Sequence, residues 1–290
     1  MNSRTKRIEI FNSNLQIFSQ GKYIAPSGKV VELPSSAEVV NSAVMYREEK
    51  SLDLAPSTPV EPIIQVVEND CVLAAKQLIE EGYNPAMLNL ADLFKPGGLI
   101  EFGSGAQEEN LCRRSNLIMS LYPFSSERVH QYPQLNLSEQ TEQYPMDAHF
   151  GGMYSRIVTF FRGTESDGYT LLEEPYNIPV ISVAALHNPR INEKGMLIEE
   201  DANQTKDKIR TIFRIGAIQG HDSLVLSAFG CGAFGNPPEH IAKLFHEVIL
   251  EDEFRYAFRL ICFAILDGYR TGMAHNPRGN FLPFKEEFDK

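Results

Sequence analysis

The apolar positions of this 290-residue chain change period along its length, and the changes mark its elements. Near the N-terminus Ile8, Ile10, Phe11, Leu15 and Phe18 recur at helical spacing, with Gly21 as a stop. The stretch KYIAPSGKVVEL reads as a hairpin turning at Pro26-Ser27-Gly28. Residues 35–59 are mixed and predict a loop with some helix. From residue 62 short apolar runs alternate with helical stripes. PIIQVVE reads as a strand. NDCVLAAKQLIEEG reads as a helix capped by Asn69 or Asp70, with Val72, Leu73, Leu78 and Ile79 inward and Gly82 as its stop. AMLNLA reads as a buried strand, RRSNLIMSLYPF as helix, and a long polar loop then runs to about residue 150. YSRIVTFFR, NIPVISVAAL, SLVLSAF and RLICFAIL are four further strands, whose almost unbroken apolar runs fit strands covered on both faces. Between the last three lie two helices. One presents Ile209, Ile212, Phe213 and Ala217, the other Ile241, Leu244, Phe245, Val248 and Ile249.

This alternation predicts an α/β fold with a mixed, largely parallel central sheet. The simplest organisation is one domain overall: an N-terminal helical and hairpin extension over residues 1–60, packed on a core over residues 61–290. Composition narrows the function. A formal net charge of −11 argues against broad nucleic-acid or acidic-membrane binding. Cys71, Cys112, Cys231 and Cys262 lie far apart, without the spacing of a zinc site or a disulfide framework. No apolar run approaches the ~18 residues of a membrane span, and the N-terminus lacks the apolar core of a cleaved signal. A cytoplasmic monomer with reduced thiols is expected, and delivery to a host cell by a non-classical route stays open.

Two stretches carry chemistry. The first is KPGGLIEFGSGAQEENLCRRS, residues 95–115, where glycines precede Gln107-Glu108-Glu109. Taken alone, the two glutamates fit an ordinary charged helix start. The second is LVLSAFGCGAFGNPPEHIAKLF, residues 224–245. A strand, a glycine loop and a helix N-terminus form a phosphate cradle, because glycines let the backbone approach and free N–H groups face the anion. No Lys-Ser/Thr follows the glycines, so this is not a Walker A loop, and it lacks the context of a Rossmann fingerprint. An aromatic, Phe234, stands among the glycines where it can stack on a ligand ring. His246-Glu247 has Leu250 where a metalloprotease would have a second His, so no metal motif forms. Asp267 reads as a cap of the next turn or a ligand contact, Cys231 as a small residue rather than a nucleophile, and Arg113-Arg114 as ion-paired within the fold or touching ligand.

In this order the two loops resemble the bacterial-type poly(ADP-ribose) glycohydrolases of the macrodomain superfamily. The resemblance rests on Pro96-Gly97-Gly98, a spacer from Leu99 to Ala106, then Gln107-Glu108-Glu109 with Leu111-Cys112-Arg113-Arg114-Ser115 behind it. LNLA, YSRIVTFFR, VISVAAL, GCGAFGNPP and the N-terminal hairpin add to it, so that it covers nearly the whole chain. Three positions depart from the family pattern: Leu99 in place of a third glycine, Lys95 before the proline, and Asp92 where relatives carry Ser or Asn. These mark where substrate preference is expected to differ.

The resemblance implies a macrodomain-like three-layer sandwich, and a glycohydrolase that needs no cofactor or metal and acts on ADP-ribose or ADP-ribosylated protein. It implies that Glu109 is the general acid/base, Glu108 the anchor of the ribose hydroxyls and Gln107 their support. It further implies that Asn89 reaches the distal ribose, Asp92 borders it, and Gly97 and Gly98 admit the ligand closely. The backbone of Gly230, Gly232, Ala233 and Gly235 would hold the diphosphate, with Phe234 against a ring and Asn236 closing the loop. A helix start favours the anion of Glu109, and Arg113 one turn on pushes the same way, whereas an acid must carry a proton. Shielding of Glu109 once substrate binds is therefore expected. Poly- and mono-ADP-ribosylated protein both remain as substrates, the latter including an enzyme specific for one linkage such as arginine. The rival is a reader module that binds ADP-ribose without cleaving it.

Overall fold

The expected N-terminal helix forms as α1 (Ser3–Gln20), and the hairpin as β1 (Lys22–Ile24) and β2 (Val30–Glu32), with Gly28 at φ 88° in its turn. The structure is a computed structural model and describes residues 3–49, 60–268 and 271–289. Residues 50–59, part of the expected loop, lie outside the described residues. The chain continues through α2 (Ser36–Asn41), β3 (Ala43–Tyr46), β4 (Ile63–Val67), α3 (Cys71–Glu80) and β5 (Pro85–Leu90). Then come α4 (Gln107–Arg114), α5 (Leu117–Leu121), α6 (Ser126–Gln131), β6 (Gly152–Ser155), β7 (Thr159–Arg162), β8 (Leu171–Asn177) and β9 (Val180–Val183). The chain ends through α7 (Glu199–Ile218), β10 (Ser223–Leu226), α8 (Pro238–Ile249), β11 (Leu260–Ala264) and α9 (Phe281–Phe288).

Seven of the strands belong to one mixed sheet, as the alternation predicted. The chain divides into two compact units. One comprises Met1–Met45, Ala91–Met146 and Met153–Ser182; the other comprises Tyr46–Leu90, Asp147–Gly152 and Val183–Lys290.

The second unit carries the parallel strands in the order β5-β10-β11-β4, with Val225 in register with both Met87 and Cys262. All residues of β10 and β11 are buried, which matches their unbroken apolar runs. Helix α8 buries the five residues expected of it, and its Phe245 meets Phe213, Phe229, Phe263 and Phe284 at ring separations of 5.2–6.4 Å. Burial of each such ring is worth ~1.5–3 kcal/mol. Asp70 caps α3 through the N–H groups of Val72 and Leu73. Two residues expected to face inward on α3 do not. Leu73 and Ile79 are exposed, and the buried face is Cys71, Val72, Ala74, Ala75 and Leu78. Small residues set a helix close to a sheet, which displaces the larger ones to the flank.

The first unit contains the antiparallel pair β6–β9, with Tyr154 opposite Ile181. Three readings of its sequence change. YSRIVTFFR is not one strand: β6 ends at Ser155, and β7 pairs with β8, which period analysis missed, in a separate ribbon. RRSNLIMSLYPF breaks at Ser115, whose extended backbone bridges to Phe160. The polar loop before residue 150 contains α6, capped by Ser125 accepting from the Arg128 N–H. Helix α1 is tied to α4 by Asn14, which is fully buried. Its Nδ2 donates to the Arg113 carbonyl (2.8 Å) and its Oδ1 accepts from Arg162 Nε (2.7 Å). Among the described residues no helix is long and apolar enough to cross a membrane.

Candidate active site

The first unit builds the carboxylate loop out of its own backbone. Helix α4 begins at Gln107, so Glu108 and Glu109 stand in its first turn, and both are buried, at 3% and 6% exposure. Glu108 Oε2 accepts the Asp92 N–H (2.8 Å), and its Oε1 accepts the Gly97 N–H (3.2 Å). Glu109 Oε1 accepts the Leu99 N–H (2.9 Å). Its other oxygen, Oε2, is buried with no hydrogen-bond partner. Asp92 Oδ1 in turn accepts the N–H groups of Phe94 and Lys95 (2.8 and 2.9 Å), which shapes the turn leading to the glycines.

Gly97 and Gly98 adopt φ of 74° and 58°, the left-handed region that favours glycine. A Cβ on Gly98 would run into the Glu109 carboxylate, and one on Gly97 would meet the Tyr122 ring at 3.3 Å. The expected reason for these glycines was clearance for a ligand; at Gly98 the structure adds an internal one, clearance for the Glu109 carboxylate itself. Leu99 has φ −106°, an ordinary value, so nothing in its backbone requires a glycine, and its side chain is exposed.

Among the neighbours of the carboxylates, Tyr144 carried no sequence signal, while Cys112, Arg113 and Arg114 belong to the motif. The Tyr144 hydroxyl is buried without a hydrogen-bond partner, and burial, reinforced by the charge of Glu108, holds the phenol protonated. The Cys112 thiol is pushed well up by burial and by Glu108 and Glu109, so it is no nucleophile. Arg113 is fully buried, donates Nε to the Tyr169 hydroxyl (3.0 Å) and lies against that ring. Its ion pair was one of two sequence readings; among the described residues it meets a phenol instead. Arg114 is buried too, with Nη1 at 3.4 Å from Asn110 Oδ1.

The second unit builds the glycine loop differently. Gly230 and Gly235 take φ of 75° and 78°, and a Cβ on Gly230 would strike Asn236 and Ala185. Asn236 is fully buried; its Nδ2 donates to the carbonyls of Leu186 (2.7 Å) and Gly230 (3.1 Å), which ties the end of the loop to its start. The Cys231 carbonyl accepts from His275 Nε2 (2.9 Å) and Asn276 Nδ2 (3.2 Å). Of the loop amides expected to hold a diphosphate, that of Gly235 donates within the loop to Gly232 O, and the Cys231 N–H donates to Ala228 O. Among the described residues the N–H groups of Gly232, Ala233 and Phe234 meet no acceptor. Phe234 is half-buried and set edge-on to His187 at 5.0 Å, a neighbour absent from the sequence reading. Cys231 is fully buried, and burial pushes its thiol well up, in line with a packing role. Asn89 is fully buried at the carboxyl end of β5, and Asp267 caps the approach to α9 by accepting the Asn280 N–H (2.8 Å).

The sequence profile described as "Microbial-type PARG, catalytic domain" matches residues 12–163, more than half of the chain, and includes the whole carboxylate loop. The chain belongs to this family. It is a glycohydrolase with a macrodomain-like α/β fold, as the motifs implied. Among solved structures it is similar to poly(ADP-ribose) glycohydrolase (PARG) from Thermomonospora curvata. That structure is 28% identical, with 98% of this chain and 100% of that one covered and a TM-score of 0.78. The same PARG bound to the inhibitor ADP-HPD matches at 28% identity over the same shares, with a TM-score of 0.75. PARG from Deinococcus radiodurans in complex with ADP-ribose is 27% identical over 89% of this chain and 99% of that one, with a TM-score of 0.67. None of the curated proteins compared with the chain matches it in sequence.

Proposed function

We propose that this member of the PARG family cleaves the C1″ glycosidic bond that joins ADP-ribose to a further ADP-ribose unit, with Glu109 as general acid and then general base. The observation that carries the reading is the state of Glu109. One oxygen is fixed by the Leu99 N–H, and the other is buried without a partner, free to exchange a proton with a leaving oxygen or a water. As the C1″ bond breaks, the Glu109 carboxyl gives its proton to the departing oxygen. The same group then takes a proton from the water that attacks the oxocarbenium-like carbon. Glu108 anchors the ribose hydroxyls and keeps the turn from Asp92 to Gly97 in place, with Gln107 in support, and Asn89 is assigned to the distal ribose hydroxyls. The N–H groups of Gly232, Ala233 and Phe234 take the diphosphate, and the Phe234 ring lies against the ligand. Polymer is favoured over a mono-ADP-ribosylated side chain because the similar structures carry that name. The departure at Leu99 also leaves the motif's N–H donor to Glu109 in place.

The test is ADP-ribose affinity by calorimetry, with release of ADP-ribose from polymer and from arginine- and glutamate-linked protein, for wild type and Glu109→Gln. Release from polymer by wild type alone is the expected result. Release from one protein linkage and not from polymer would move the substrate to the mono-ADP-ribosylated class. Unchanged release by Glu109→Gln would remove the acid assignment.

A further inference from the structure

Arg128 lies on α6, within the stretch whose sequence reads as a polar loop. The residue is 4% exposed, and its guanidinium sits 5.3 Å from the centroid of the Tyr122 ring, which stacks on Tyr132. One terminal nitrogen donates to Glu101 Oε1 (2.8 Å) and to Gln131 Oε1 (2.9 Å). The other donates to the carbonyl oxygen of Gly98 (3.1 Å), a buried bond across 30 residues of sequence.

That carbonyl shares a peptide unit with the Leu99 N–H. A peptide unit is planar and trans, so its oxygen and its N–H point in opposite directions from one rigid plate. Arg128 holds one end of the plate and Glu109 Oε1 accepts from the other. Charge at the oxygen also polarises the N–H and strengthens its bond to the carboxylate. The local chain has little power to hold this plate by itself. Gly97 and Gly98 both lack a Cβ, and rotation of the Gly98–Leu99 peptide would replace a donor with a carbonyl lone pair facing Glu109.

We propose that Arg128 is a positioning residue for hydrolysis. By clamping the Gly98–Leu99 peptide it fixes where the Glu109 carboxyl stands, and Glu101 and the Tyr122 ring fix Arg128 in turn. The proposal rests on Glu109 as the acid/base. Arg128 touches no reacting atom, so its loss acts on turnover through Glu109 and leaves the glycine loop's grip on ADP-ribose intact.

The experiment compares wild type, Arg128→Met, Arg128→Lys and Glu109→Gln in kcat and KM for ADP-ribose release, ADP-ribose affinity by calorimetry, and Tm. For Arg128→Met, kcat falls roughly 10- to 100-fold, the scale of a displaced catalytic group, while ADP-ribose affinity stays within about threefold. Arg128→Lys keeps charge and stem but must divide one ammonium between Glu101 and Gly98, so it recovers part of the loss. If Arg128→Met proves too unstable to assay, Arg128→Lys alone carries the test, through a lowered kcat at unchanged ADP-ribose affinity. Wild-type kcat in the folded variants would overturn the proposal, as would turnover and ADP-ribose affinity falling together in both. Retained activity in Glu109→Gln would instead overturn the acid assignment, whatever the Arg128 variants do.

Discussion

The two loops use their backbones in opposite ways. In the carboxylate loop the N–H groups of Asp92, Gly97 and Leu99 all donate to the protein's own Glu108 and Glu109. In the glycine loop the N–H groups of Gly232, Ala233 and Phe234 are uncommitted, while Asn236 and its neighbours hold the frame around them. One loop uses glycine to bring backbone up to its own carboxylates, and the other to bring backbone to the surface. The same residue type at the same kind of strand exit therefore serves different ends. What separates the two is whether a carboxylate occupies the space in front of the amides. A loop of the first kind should govern turnover, and one of the second kind affinity.

The largest expected effect tests the first half of that division. Glu109→Gln keeps shape and removes the proton, so kcat drops by about a thousandfold, within the range of general acid–base catalysis. Its ADP-ribose affinity by calorimetry changes by no more than a few-fold. Next is Gly98→Ala, which places a Cβ against the Glu109 carboxylate at φ 58°. Displacement of that group costs on the order of a hundredfold in kcat. The backbone strain costs about 1–3 kcal/mol, read by denaturant unfolding. A Gly98→Ala enzyme that weakens ADP-ribose binding but turns over normally would erase the distinction between the loops.

Phe234→Ala tests the other half. Removing a stacking ring is worth roughly 1–3 kcal/mol, so ADP-ribose binds about tenfold more weakly or worse, while kcat at saturation holds within about threefold. Loss of kcat with intact affinity would break the division from this side. The smallest effect is in pH. His240 follows the glycine loop on α8, and its Nδ1 accepts the Leu197 N–H (3.0 Å). Burial holds its pKa below the ordinary histidine value, with Glu247 opposing and Lys243 and Lys206 adding to the depression. Since the folded value is the lower one, the stabilising contribution is present above about pH 6.5. It is lost as pH falls toward the folded pKa. Wild-type Tm should therefore decline more steeply than that of His240→Gln between pH 7 and 5, and parallel curves would show that His240 contributes nothing there.

Much of this molecule was open to reading along the chain because the signals are local. The stripe of α8, the Asp70 cap, the parallel strands and the order of the two glycine loops depend on neighbours within a few residues. Glu108 and Glu109 could be singled out because glycines precede them at short range. What could not be read depends on partners far away in the chain. Leu73 and Ile79 looked like core residues because a stripe shows which residues share a face, not how closely the sheet approaches it. Strand β8 buries none of its residues fully, and exists because β7 pairs with it. Arg128 looked like one charge among many in a polar stretch. Its hydrogen-bond partners, Gly98 and Glu101, lie 30 and 27 residues earlier.

By itself the sequence determined most of the elements, the α/β class, the family and the motif in which Glu108 and Glu109 stand, because periodicity, caps and motif spacing are properties of adjacent residues. The tertiary structure alone decided which backbone amides are engaged and which are free, why Gly98 must lack a side chain, and which cation steadies the peptide behind Glu109. A hydrogen bond needs its two partners at about 3 Å, and only the folded chain brings residues so distant in sequence to that separation.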